Sequence, residues 1–272
     1  MSETKVRFDV LRYSPEQDVK PHMQQYEVPV KRGMTILDGL YWIKENLDQT
    51  LTWRSSCRMG VCGSCGMFIN GYPRLACNNQ ILHIDKNRIE IKPLPNFNII
   101  RDLVPDLDDF FIKHQNVKPH LIRKELEELD QPTGEYFQSP EELVRYIQFA
   151  YCIKCGLCFS ACPTSATDEH FLGPQALSQA LRYNADSRDE GADERSETIY
   201  ARHGVVRCHF AGACSEVCPK GVDPAFAIQL LKGDMLMKKT RVRVSSGPSR
   251  LIPKTDEHVP NPDVPKAPEP TV

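Results

Sequence analysis

Eleven cysteines in 272 residues fall into three tight groups with none left over. This constrains the chain more than its hydrophobic pattern does, because each group has to converge on one centre whatever the rest of the backbone does. Cys57, Cys62, Cys65 and Cys77 read C-x4-C-x2-C-x11-C. Cys152, Cys155, Cys158 and Cys162 read C-x2-C-x2-C-x3-C, closed by Pro163. The last group, Cys208, Cys214 and Cys218 before Pro219, repeats the second with one change: Ala211 stands where its second cysteine would be.

The first spacing is that of plant-type [2Fe-2S] ferredoxins, and the second is that of bacterial two-cluster ferredoxins. In the two-cluster arrangement the fourth cysteine of each run ligates the cluster of the other run. Cys152, Cys155 and Cys158 then combine with Cys218 around a [4Fe-4S] cluster, while Cys162 joins Cys208 and Cys214. A methyl group cannot coordinate iron, so Ala211 leaves this last centre one ligand short. It is expected to hold [3Fe-4S], the alternative being [4Fe-4S] with an outside ligand on that iron. Losing a thiolate removes negative charge, which raises the reduction potential. Zinc is the competing reading, but three thiolates packed as C-x2-C-x2-C suit a multi-iron cluster better than one small ion. An odd cysteine count and a Met1 start without a signal peptide argue against disulfides. Gly60, Gly63, Gly66 and Gly156 lie among the cysteines, where they let backbone amides approach cluster sulfur.

Composition bounds the rest. The chain is long enough for two cores, and 26% charged with 40% apolar residues is ordinary for a soluble protein. A net charge of -2 offers no field for nucleic acid, and no apolar run is long enough to span a membrane. Val6, Phe8 and Val10 alternate, as do Tyr26, Val28 and Val30, predicting two half-buried strands. Thr35 with Asp38 opens a helix along Ile36, Leu40, Ile43 and Leu47. The loop from Arg54 to Gly66 then feeds a hairpin, Met67 to Ile69 and Tyr72 to Leu75, turned by Asn70-Gly71, and Ile89 and Ile91 give a last strand.

The fold class is therefore α+β. A β-grasp plant-type [2Fe-2S] ferredoxin domain covers 1–105, a connector 106–138, an all-helical two-cluster ferredoxin domain 139–240, and a Pro-rich extended or disordered tail 241–272. In the connector, Asp108 to Phe111 and Arg123 to Asp130 read as helical pieces broken at Pro119 and Pro132-Thr133-Gly134. One helix is expected from Ser139-Pro140 into Cys152, one from Gly173-Pro174 toward Tyr183, and one from Asp223-Pro224 to about Lys239. Between Asp186 and Glu197, six acids and two arginines leave no apolar face, which predicts a solvated loop. Lys238, Lys239, Arg241, Arg243 and Arg250 make a basic stretch that would suit anionic lipid or a membrane subunit.

These residues carry a resemblance over nearly the whole chain. SCRMGVCGSC with LAC at Cys77, IIRDLVPDLDDFF from Ile99, CIKCGLCFSACP from Cys152, FLGPQAL from Phe171 and RCHFAGACSEVCPKGVDP from Arg207 resemble the iron-sulfur subunit of succinate:quinone oxidoreductases, the family of succinate dehydrogenase and fumarate reductase. The resemblance implies an electron wire with no substrate site of its own. A flavoprotein partner carrying FAD would oxidise succinate, and electrons would pass through [2Fe-2S], [4Fe-4S] and [3Fe-4S] to a quinone at membrane anchor subunits with haem b. It places the chain peripherally on the cytoplasmic face of the membrane, held by those anchors. It also sets Pro163 and His209 beside the quinone, although a tryptophan pair common in the family is replaced here by Thr164-Ser165-Ala166-Thr167-Asp168. Succinate dehydrogenase is the leading reading. Fumarate reductase, and a soluble subunit serving a thiol or heterodisulfide reductase, are the alternatives. Arg54 and Arg58 flank the first cysteine group, where they would tune it or dock a partner. The remaining histidines, His22, His83, His114, His120, His170, His203 and His258, lack the paired spacing of a single-metal site and read as surface or packing residues.

Overall fold

The computed structural model describes residues 4–240 apart from 126, 128, 129, 132 and 133. Because side chains alternate along a strand, Val6, Phe8 and Val10 share the buried face of β1 (Thr4–Arg12). β2 (His22–Val30) pairs with it antiparallel, setting Val28 opposite Val6 and Tyr26 opposite Phe8. Thr35 then caps α1 (Ile36–Asn46). Its hydroxyl accepts the Asp38 N–H at 3.1 Å, and the Asp38 carboxylate accepts the Thr35 N–H at 2.9 Å, so two otherwise unpaired donors are satisfied. The helix lies close on the sheet, since a Cβ at Gly39 would stand 2.6 Å from the Phe8 ring.

β3 (Gly66–Ile69) and β4 (Tyr72–Leu75) form the expected hairpin, with Asn70 at φ 45° and Gly71 at φ 83° in the left-handed conformations such a turn requires. β5 (Arg88–Lys92) inserts between β1 and β3, parallel to the first and antiparallel to the second, giving the order β2-β1-β5-β3-β4. This mixed sheet on one helix is the β-grasp arrangement. Three elements escape the periodicity because they are too short to show one: α2 (Ile81–Ile84) and the paired strands β6 (Ile99–Arg101) and β7 (Val104–Pro105). α3 (Asp108–Asn116) follows and ends before Pro119.

The rest of the described chain is helical, built around a second core of Phe149, Phe171, Leu177, Ile199, Val205 and Leu231. The helix expected to run unbroken from Ser139 into Cys152 is instead two, α4 (Pro140–Val144) and α5 (Ile147–Ala150). The break lets Tyr146 turn inward. Its hydroxyl donates to Gln138 Oε1 at 2.6 Å, and the Arg182 guanidinium covers its ring at 4.6 Å. α6 (Leu157–Ser160), α7 (Pro163–Thr167), α8 (Pro174–Asn184), α9 (Ala192–Ile199), α10 (Ala213–Glu216) and α11 (Pro224–Thr240) complete the helical part. Asp223 caps α11 by accepting the Phe226 N–H at 2.9 Å.

The solvated loop expected over Asp186 to Glu197 is corrected most sharply. Part of it is α9, and Arg195 within it is 0% exposed, with Asp186 and Asp189 also buried. All five guanidinium N–H groups of Arg195 are used: Nε on Lys118 O, Nη1 on Asn184 Oδ1 and Asp189 Oδ1, and Nη2 on His120 O and Asp189 Oδ2. The charges that look solvated in sequence hold α9 to the connector. Part of the helical piece expected over Arg123 to Asp130, the break at Pro132-Thr133, the side chain of Lys239 and the tail with Arg241, Arg243 and Arg250 lie outside the described residues.

The sheet and helical parts meet through Phe97, whose ring lies 5.1 Å from that of Phe159, and through the Asn96 amide, which sits within 3.2 Å of the carbonyls of Phe159, Ser160 and Cys162. Both anchors grip the segment that carries the second cysteine run.

Candidate metal centres

The first centre is a loop whose amides point inward. Arg58, Gly60 and Gly63 take φ of 57°, 70° and 76°, and this left-handed sequence of turns aims successive N–H groups at sulfur. Met59, Val61 and Cys62 direct their N–H groups to Cys57 Sγ at 3.3–3.4 Å, and Gly60 directs its N–H to Cys77 Sγ at 3.2 Å. The Cys57 N–H, at 3.5 Å, brings the Cys62 thiol down to about 6, whereas burial pushes Cys65 up to about 12. Arg58 lies over the Tyr41 ring at 4.4 Å.

The second and third cysteine runs are one backbone motif used twice. Lys154 (φ 53°) and Gly156 (φ 81°) in the one match Phe210 (φ 59°) and Gly212 (φ 78°) in the other. Each left-handed glycine then starts a four-residue helix, α6 and α10, ending just before Cys162-Pro163 and Cys218-Pro219. Ala211 thus occupies the backbone place that Cys155 holds in the other copy. The fourth cysteines cross over. One cavity is lined by Cys152, Cys155, Cys158 and Cys218, and the other by Cys162, Cys208 and Cys214 with Ala211.

Burial pushes the thiols of Cys155 and Cys214 up to about 12 and raises those of Cys152 and Cys158. Several thiolates side by side in an apolar cavity are therefore unfavourable unless a cation offsets them. Soft sulfur donors converging in this way fit iron–sulfur chemistry. Pro163 and His209 both line the cavity of Cys162, Cys208 and Cys214, and Lys232 Nζ donates to Cys208 O at 2.8 Å. Asp168, in the stretch without tryptophan, accepts Arg207 Nε at 2.7 Å and lies 3.0 Å from His203 Nδ1.

Three residues that the sequence reading did not single out as part of a centre stand beside the second cavity: Gln175, Ser178 and His114. The first two occupy the polar positions of a pattern along α8 that reads as amphipathic, yet the helix is buried on both faces, so their polarity pointed the wrong way. The only signal available was position, on a helix lying between two cysteine runs. Burial, with the Lys154 charge nearby, holds His114 neutral, its pKa pushed down to about 4.

Gly63 is where the first and second centres touch. A Cβ there would stand 2.7 Å from Cys155 Cβ and 2.9 Å from Cys155 Cα. Gly63→Ala adds left-handed strain of about 1–2 kcal/mol to that clash and forces the two loops apart. The expected result is a lower thermal midpoint and a weaker magnetic interaction between the two reduced clusters. An unchanged interaction in paramagnetic resonance would show that the contact does not set their separation.

Comparison with known proteins identifies two iron-sulfur domain types along the chain. Residues 7–112 match the 2Fe-2S iron-sulfur cluster binding domain and residues 148–222 the 4Fe-4S dicluster domain, which assigns both cluster types to the chain. It is 48% identical over 228 residues to the fumarate reductase iron-sulfur subunit of Mycobacterium tuberculosis, covering 84% of this chain and 92% of that one. Against the fumarate reductase iron-sulfur subunit of Haemophilus influenzae it is 46% identical over 228 residues, covering 81% and 89%. A chain of the Mycobacterium smegmatis Sdh1 complex in the apo form has the same fold, with a TM-score of 0.79 at 24% identity over 89% of this chain and 100% of that one.

Proposed function

We propose that this chain, which belongs to the family of iron-sulfur subunits of succinate dehydrogenases and fumarate reductases, connects the FAD of a flavoprotein subunit to a quinone held by membrane anchor subunits with haem b. The observation that carries the reading is the set of three cysteine centres, the first two touching at Gly63 and the third opening beside Pro163 and His209. When bound, the clusters supply one-electron carriers. The ligand sets are Cys57, Cys62, Cys65 and Cys77 for [2Fe-2S]; Cys152, Cys155, Cys158 and Cys218 for [4Fe-4S]; and Cys162, Cys208 and Cys214 for [3Fe-4S].

The chain's own residues bury these sites, aim amides at their sulfurs and present them to partners. Met59, 73% exposed, and Val61 rim the first centre, and Phe210, 58% exposed, rims the third. Exposed apolar side chains at such rims suit protein interfaces, the first with the flavoprotein and the second with the anchor and quinone. Among the described residues no helix is long and apolar enough to cross a membrane, so attachment to the cytoplasmic face falls to the anchors.

Succinate oxidation is the direction proposed. The names of the relatives at 45–48% identity favour a second reading, fumarate reduction. Assaying the purified complex in both directions with high- and low-potential quinones separates the two. Paramagnetic resonance tests the clusters: an oxidised-state [3Fe-4S] signal together with two reduced-state signals is expected, and absence of the oxidised signal overturns the three-cysteine assignment. Purification without anchors or haem, with turnover of a thiol or heterodisulfide instead of quinone, overturns the quinone reading.

A further inference from the structure

α8 carries three buried polar side chains along the wall of the helical core: Gln175 and Ser178, each 1% exposed, and Gln179. Gln179 is accounted for, since its Nε2 donates to Phe149 O at 2.9 Å. The other two are not. Ser178 Oγ has no hydrogen-bond partner, although a buried helical serine ordinarily bonds back to the carbonyl one turn earlier. Gln175 Oε1 has none either, while Gln175 Nε2 lies 3.2 Å from His114 Nδ1 and 4.0 Å from Cys152 Sγ. Gln175 and Ser178 both line the cavity of Cys152, Cys155, Cys158 and Cys218. A buried hydroxyl and a buried amide oxygen left without partners are costly, and a core that an alanine would fill seldom keeps them.

We propose that Ser178 Oγ–H and Gln175 Nε2–H donate hydrogen bonds to the sulfurs of the cluster in this cavity and thereby set its reduction potential. The inference rests on the ligand set given above. With neutral His114 accepting one N–H of Gln175, the second N–H is free to turn toward Cys152 Sγ, and Ser178, one turn further along the helix, faces the same space. A cluster held here would take one electron from the first centre, which would be oxidised in turn, and would gain one negative charge spread over its sulfurs with no proton transferred, so the donors would keep their protons. A donor therefore stabilises the reduced cluster more than the oxidised one, which raises the potential. These are positioning and tuning residues and not ligands.

The test is a redox titration of the intact complex, following all three cluster signals by paramagnetic resonance. The double variant Ser178→Ala, Gln175→Leu is expected to lower the [4Fe-4S] potential by about 59 mV, a tenfold change in the one-electron equilibrium. The [2Fe-2S] and [3Fe-4S] potentials are expected to hold. Ser178→Thr keeps the hydroxyl and is expected to titrate as the unaltered protein does, whereas Ser178→Val, of the same shape, shifts down. This pair decides the matter if the alanine variant loses its cluster. An unmoved [4Fe-4S] potential with full cluster content, or equal shifts for Thr and Val, overturns the proposal. A shift confined to a different cluster's signal overturns the ligand set itself.

Discussion

Ala211→Cys is expected to abolish the oxidised-state [3Fe-4S] signal and replace it with a third reduced-state signal. The substitution completes a motif that the backbone already forms. Phe210 and Gly212 hold φ of 59° and 78°, against 53° and 81° for Lys154 and Gly156 around Cys155, so a thiol at position 211 has the same approach to its cavity as Cys155 has to the other. A fourth iron acquires a ligand, the centre gains a thiolate, and the added negative charge lowers its potential. A fall of more than about 59 mV, over tenfold in equilibrium, is expected, because a full charge is added next to the iron. On the proposed function, quinone reduction would then slow while reduction of the first two clusters by the flavoprotein would be unchanged. A redox titration and a steady-state quinone assay on one preparation check both halves. Persistence of the oxidised signal with an intact third cluster would show that position 211 does not face the vacant corner.

How much of this was readable from residues alone depended on how local each constraint is. Ligands of one cluster must come within a few ångströms, so their spacing is written into short stretches, and the swap of Cys162 and Cys218 follows from the same motif. The capped helix after Thr35 and the Asn70-Gly71 turn were legible for the same reason, since capping and left-handed turns are decided within four residues. Tyr146 was not: what breaks the helix around it is Gln138 on one side and Arg182 on the other, neither of them visible in the periodicity of 139–152. Gln175 and Ser178 were hidden by the rule that polar residues mark an outer face, which fails where the inner face is lined by sulfur.

Arg195 is the extreme case of a non-local constraint, and its replacement is expected to be among the most destabilising single changes in the helical part. Nothing in the run from Asp186 to Glu197 announces burial, because the partners that make it tolerable, the carbonyls of Lys118 and His120, lie more than seventy residues away. Arg195→Met keeps the volume of the stem but leaves Asp189 charged, buried and without a cation, and takes one donor from each of the Lys118 and His120 carbonyls. Breaking a buried pair in this way costs about 3–5 kcal/mol. The amides of Ile122 and Gly191, at 3.0 Å and 2.8 Å, still hold Asp189, so its charge is trapped in place and cannot swing out to water. Asp189→Asn in the same chain removes that charge, and the double variant is expected to recover part of the loss, with a coupling energy of about 1–3 kcal/mol in a double-mutant cycle. The thermal midpoint of cluster bleaching in the purified complex reads all four members of the cycle. Simple additivity would show that Arg195 acts by packing alone. Recovery in the double variant assigns the effect to the unpaired carboxylate, and with it the role of a run of charges that holds the connector to the helical part carrying two of the three centres.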